Sequence, residues 1–192
     1  MRILPGAEYR LEPDLPERLA RGELLTLCDG GRFLLVELPA AFVPPYAERA
    51  LYELQLQGVT PIVAHPERNA VFCRRPDLLQ ALVSRGVPAQ VTAGSLTGMF
   101  GREIARAAFS FLGRGLVHLL ASDAHSSAGR PPVLSPALRE VERRLGREEA
   151  FRLGVDNPQK VVAGRPLPAG VVQEARPFRR GLLQAFWGRL RR

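Results

Sequence analysis

Asp123 and His125 stand one residue apart at the end of an apolar run, in the stretch LLASDAHSSAGRPP (119 to 132). Side chains in a DxH spacing leave the same side of a strand's two-residue pleat, so a carboxylate and an imidazole are placed to share a cation. Glu8 and His65 complete a set of four oxygen and imidazole donors. That mixture suits Mn, Fe or Zn in a hydrolytic centre better than a thiolate structural site. Two or three such ions bridged by a carboxylate lower the pKa of a bound water and clamp a phosphoryl group. A single histidine after a strand is more often a packing residue, and His118, inside its apolar run, is read as one.

Arg68 and Arg130 follow His65 and His125 by three and five residues. A guanidinium fork takes phosphate oxygens in pairs, so two arginines beside a cation cluster suit a phosphomonoester, whereas either alone suits a surface ion pair. Cysteine-based phosphate chemistry is excluded. The CxxxxxR spacing needs arginine at 34 or 79, and both positions are leucine. The glycine-rich GSLTGMFG (94 to 101) matches neither the P-loop nor the dinucleotide fingerprint. It reads as a loop leading into a helix, with Ser95 or Thr97 as its cap.

The elements that position these residues alternate along the chain. Strand candidates are Ile3 to Leu4, Phe33 to Leu38, Pro61 to Ala64, Ala89 to Thr92 and Leu116 to Ala121. Between them, Pro45 to Gln57 and Thr97 to Arg114 carry apolar residues at helical spacing, with prolines at the start of the first and glycines after both. Such alternation predicts an α/β fold with a mainly parallel sheet, doubly wound or closed as a barrel, and function at the C-terminal ends of the strands. Glu8, His65, Asp123 and His125 all follow strand candidates.

Bulk composition narrows the setting. The 192 residues carry a net charge of +8, but six of the 27 basic residues fall between Arg176 and Arg192, leaving 21 basic against 19 acidic residues elsewhere. The expected organisation is a domain over 1–165, a Pro- and Gly-rich linker over 166–177 and a basic amphipathic tail over 178–192. That tail matches no nucleic-acid motif, so no nucleic-acid partner is expected; contact with the inner face of a membrane is the reading it supports. Two distant cysteines, no signal peptide and no apolar run of membrane length predict a cytoplasmic protein.

The segments LPGAEYRL (4 to 11), GRFLLVELP (31 to 39), VPPYAERALYELQLQGVTPIVAHPERN (43 to 69), AQVTAGSLTGMFGR (89 to 102) and GLVHLLASDAHSSAGRPP (115 to 132) together resemble one family. It is the bacterial capsule and exopolysaccharide tyrosine phosphatases of the polymerase-and-histidinol-phosphatase (PHP) superfamily. The resemblance implies a distorted (β/α)7 barrel with a multinuclear Mn2+-type centre (Fe, Zn or Mg as alternatives). It implies hydrolysis of phosphotyrosine on an autophosphorylating bacterial tyrosine kinase that regulates polysaccharide assembly. By the same resemblance Glu8 is the bridging carboxylate, His65, Asp123 and His125 are ligands, and Arg68 and Arg130 hold the phosphate. Alternative readings are an inactive phosphotyrosine-binding remnant and a phosphatase of small monoesters such as histidinol phosphate; a homo-oligomer stays open.

The family pattern begins with an HxH motif on its first strand, and none of the three histidines here forms one. The expectation is therefore a barrel incomplete at its N-terminus, either a fragment, a mis-started frame or a degenerate protein. Such a chain alone is expected to be poorly stable, to aggregate or to pair with a partner supplying the absent strands.

Overall fold

The computed structural model describes residues 3–168. The expected tail 178–192 and residues 169–177 of the expected linker lie outside the described residues. In chain order the elements are β1 (Glu8–Arg10), α1 (Leu15–Ala20), β2 (Phe33–Glu37), α2 (Ala47–Leu56), β3 (Thr60–Ala64), α3 (Ala70–Arg74), α4 (Pro76–Ser84), β4 (Ala89–Thr92) and α5 (Ala93–Leu96). They continue with α6 (Arg102–Gly113), β5 (Leu119–Ala121), α7 (Ser135–Leu145), α8 (Arg147–Phe151) and α9 (Asn157–Val162), with a π turn at Arg152–Asp156 between the last two.

The strands form one parallel sheet in the order β1-β2-β3-β4-β5, as strand-helix alternation requires when each crossover returns beside its predecessor. Among the described residues β1 and β5 stand at its two ends. Register fixes what each face carries. Leu34 pairs with Pro61 and Val36 with Val63, while Leu35 pairs with Ile62 and Glu37 with Ala64. Leu34, Val36, Val63, Val91 and Leu120 join the large core with Leu51 and Leu54 of α2, Leu79 and Leu82 of α4 and Phe111 of α6. On the opposite face Phe33, Ile62 and Leu119 pack with Val161 of α9, against which Leu27, Leu35 and Leu167 lean. Burial on both faces explains why β3 reads TPIVA with no alternation. Leu167, at the start of the expected linker, is thus part of the packing.

Three expectations change. The first strand is Glu8–Arg10 and not Ile3–Leu4: Ile3 is 83% exposed, Pro5 and Gly6 intervene, and Glu8 lies in the strand. The helix expected over Thr97 to Arg114 begins only at Arg102, because Gly98 and Gly101 adopt φ of 85° and 93° and break it from α5. Gly101 is its cap; Ser95 and Thr97 turn their hydroxyls elsewhere. The last strand starts at Leu119, so Leu116 to His118 are buried approach residues, although the His118 N–H still donates to Ala89 O at 2.9 Å.

Candidate metal and phosphate site

Glu37 ends β2 on the face that also carries Leu35, and Glu8 of β1 pairs with Leu35, so both carboxylates share a face. Ala64 pairs with Glu37, and a continued strand would send His65 to the other side. His65 instead adopts the left-handed conformation, φ 32° and ψ 54°, which a non-glycine residue keeps only where its surroundings impose it. The turn re-aims the ring: His65 Nε2 lies 3.0 Å from Glu8 Oε1 and 3.8 Å from Glu37 Oε1. Glu8, Glu37 and His65 each offer one donor atom, and these atoms lie within 4.8 Å of one another. Two carboxylate oxygens and an imidazole nitrogen that converge from β1, the end of β2 and the turn after β3 fit a hard-to-intermediate divalent cation.

The electrostatics agree with a tight cluster. The hydrogen bond from His65, opposed by burial and assisted by the charges of His65, Arg68 and His125, holds the Glu8 carboxyl below its ordinary value. Burial works against a charged His65 ring, yet the Glu8 hydrogen bond and charge outweigh it and raise the ring above its ordinary value.

Asp123 does not lie on a strand pleat with His125, as the DxH spacing suggests. β5 ends at Ala121, and Asp123 turns into the left-handed region with φ 51°. Its carboxylate is nearly buried, at 7% side-chain exposure, and takes Arg68 Nη1 at 3.1 Å and a close contact from Arg130 Nη2. Thr92 Oγ1 of β4 donates to the same oxygen at 3.4 Å. His125 is mostly exposed, and its Nδ1 lies 2.9 Å from its neighbour's carbonyl, Asp123 O. The loop closes on itself to bring Arg130 back. The His125 N–H donates to Arg130 O, and Ser126 Oγ accepts from the N–H groups of Gly129 and Arg130 at 3.0 Å each.

Both guanidiniums then lie over the ring of Phe100, 5.1 Å and 5.5 Å from its centroid. Two cations held against one aromatic ring and tied to one carboxylate are preorganised for an anion. Thus Arg68, Arg130 and Asp123 form one group, Glu8 and His65 another, and the Arg68 and His125 charges reach Glu8.

Several supporting residues escape a reading of motifs. Glu37 closes the run FLLVE, and the rule that strand ends carry function points to it once the strand is known to stop there. Asn69 caps α3 by accepting the N–H groups of Val71 and Phe72, while its amide donates to Pro39 O at 2.7 Å and Phe42 O at 3.0 Å. It ties the loop after Glu37 to the turn after His65. Glu67, fully buried, accepts from Thr92 N and from Ser95 Oγ at 2.6 Å, fastening that turn to β4 and α5. Burial pushes its carboxyl up, against those two hydrogen bonds. His118 is the packing histidine its position predicts, buried and neutral, with burial lowering its pKa to about 4. Cys28 and Cys73 are both free, and burial raises the Cys73 thiol, the reverse of what a nucleophile needs.

Residues 1–163 match the family model described as capsular polysaccharide synthesis, CpsB/CapC. The tyrosine-protein phosphatase YwqE of Bacillus subtilis is 39% identical over 153 residues, which are 80% of this chain and 60% of YwqE. The tyrosine-protein phosphatase CpsB of Streptococcus pneumoniae is 30% identical over 165 residues, 83% of this chain and 68% of CpsB. A solved structure from work on YwqE and CpsB as metal-dependent tyrosine phosphatases superposes with a TM-score of 0.84 at 35% identity, covering 90% of this chain and 69% of that one. The chain spans about 60% of the length of YwqE. Family match, relatives and fold agree with the motif resemblance, and the chain belongs to the CpsB/CapC family of capsular polysaccharide synthesis.

Proposed function

We propose that this protein hydrolyses phosphotyrosine in a metal-dependent reaction, with Glu8, Glu37, His65, Asp123 and His125 as the ligand set and Arg68 and Arg130 on the phosphate. The convergence of Glu8, Glu37 and His65 donor atoms within 4.8 Å is the observation that carries it. A bound divalent cation, Mn2+ in this reading, supplies Lewis-acid chemistry, making water a better nucleophile and offsetting phosphoryl charge. The chain's own residues do the rest. Arg68 and Arg130, held over Phe100, release Asp123 in part and present paired N–H donors to the phosphate oxygens. Phe100 fixes where the two guanidiniums sit, so the exchange of Asp123 for phosphate oxygens moves the pairing and leaves the cradle in place.

The partner in this reading is a phosphotyrosine-bearing tyrosine kinase of capsule or exopolysaccharide synthesis, met at the cytoplasmic face of the membrane. The relatives named tyrosine-protein phosphatases support that substrate class. The five-stranded sheet is read as the larger part of a (β/α)7 barrel, an interpretation supported by its fit to 69% of the solved relative. A second reading is a phosphotyrosine-binding protein without turnover, supported by the Arg68 and Arg130 pairing on Asp123 over Phe100, a phosphate cradle separate from the Glu8, Glu37 and His65 cluster.

Phosphate release from a phosphotyrosyl peptide, with and without Mn2+, separates the readings when this chain is compared with one fused to an N-terminal segment carrying the HxH motif that the family resemblance implies. Mn2+-dependent release by either form, abolished by Arg130→Ala, supports hydrolysis. Tight peptide binding with no release from either form supports the binding protein. Release from histidinol phosphate but not from the peptide would overturn the phosphotyrosine assignment.

A further inference from the structure

α6 and α7 enclose an open groove of about 770 Å³ whose walls are strongly basic. Arg102 and Arg106 line it from α6, Arg139 and Arg144 from α7, and Glu140 is the one acid among its lining residues. Arg144 is committed, paired with Glu140 and stacked 3.8 Å over Phe109. Arg102, Arg106 and Arg139 are exposed and make no ion pair among the described residues. This concentration stands out because the chain before Arg176 is nearly neutral, with 21 basic and 19 acidic residues. Like charges gathered without partners repel, so a stable fold that keeps them points to an anionic occupant.

The groove and the phosphate site are joined through one short stretch of chain. Thr97 and Gly98 form its near wall, and Phe100, two residues on, lies beneath Arg68 and Arg130. Two residues span at most about 7 Å of chain. An extended peptide advances about 3.3 Å per residue, so three residues carry it about 10 Å beyond a bound phosphotyrosine.

We infer that the α6–α7 groove binds an acidic segment flanking the phosphotyrosine, with Arg102, Arg106 and Arg139 selecting glutamates or aspartates there. This inference rests on the phosphotyrosine reading of the adjoining site and assigns that site its sequence preference. Opposite charge along an extended peptide adds specificity and speeds encounter, and the contribution weakens with salt.

The test uses the full chain and fluorescein-labelled peptides read by anisotropy. One carries a non-hydrolysable phosphotyrosine analogue followed by four glutamates, a second the same analogue followed by four glutamines, and a third tyrosine followed by four glutamates. The expected result is about tenfold tighter binding of the first than the second at low salt. In the triple variant R102Q/R106Q/R139Q that preference falls below about twofold while the glutamine peptide binds as before. A preference that survives in the triple variant, or none in the wild type, overturns the inference. Failure of both analogue peptides to bind would sink the phosphotyrosine reading alone; the third peptide then decides the groove, its binding and loss in the variant supporting it and its failure to bind overturning it. Binding of phosphatidylserine vesicles through the same arginines, with no response to any peptide, overturns it as well.

Discussion

His118 buries a titratable ring where β4 meets the approach to β5, and its Nδ1 accepts the Ala89 N–H at 3.3 Å. Its folded pKa, lowered to about 4, lies below the ordinary value of 6.5. Between those values the unfolded chain takes a proton that the native ring refuses. Stability is therefore full above pH 6.5 and declines as pH falls toward 4, by about 3 kcal/mol. His118→Asn keeps an acceptor near the Nδ1 position and removes the titration. Denaturant unfolding across pH 4 to 7 is expected to lose that slope in the variant, whatever its absolute stability; an unchanged slope would assign it to other groups. His65 and His118 show why histidine type alone decides little. Both follow or enter apolar runs, and only the left-handed turn at 65, invisible in the sequence, sends that ring to two carboxylates.

At the scale of elements, Asn69 and Gly101 hold the loops that carry the site. Asn69→Asp retains the cap oxygen of α3 but removes the amide that serves Pro39 O and Phe42 O, leaving two carbonyls without their donor. A loss of about 2 kcal/mol is expected in thermal or denaturant unfolding, all of it from the two orphaned carbonyls because aspartate caps a helix as well as asparagine does. Gly101 opens α6 at φ 93° and ψ 165°, a region nearly closed to side-chain-bearing residues. A Cβ there meets nothing within 4 Å, so Gly101→Ala costs conformational strain alone, about 2 kcal/mol. Relief of that strain shifts Phe100 beneath the two arginines, and weaker binding of a phosphotyrosine analogue is the accompanying readout; unchanged affinity would show that the Phe100 platform tolerates the shift. The β4 boundaries, Ala89 to Thr92, follow directly from the apolar run, because a strand buried on both faces is marked by composition. β1 is not so marked. Its residues Glu8, Tyr9 and Arg10 are half-exposed or exposed, and the apolar pair nearby, Ile3 and Leu4, lies upstream of the strand. The α5–α6 break turned on two positive-φ glycines whose neighbours carried a continuous helical pattern.

At the scale of the whole molecule, alternation of strand and helix makes a parallel α/β sheet legible, and the rule that strand ends carry function points to His65 and Asp123, which follow β3 and β5. What the sequence withheld was grouping. Asp123 looked like a partner of His125 on one pleat, whereas its carboxylate is the anchor of Arg68 and Arg130. Glu37 is hidden inside the apolar run Phe33 to Leu38, and the fold places its carboxylate beside Glu8 and His65. Those three side chains come from β1, β2 and the turn after β3, so the cluster exists only in the folded sheet, and cation binding in the proposed centre tests fold and site together. The most direct measurement is calorimetric titration of Mn2+ into the metal-free chain and into its Glu37→Gln variant, which preserves shape and removes one anionic donor. The account predicts saturable binding in the wild type and affinity lowered at least about tenfold in the variant. Equal affinity in the two, or no saturable binding in the wild type while it remains folded, would contradict a metal centre built on Glu8, Glu37 and His65.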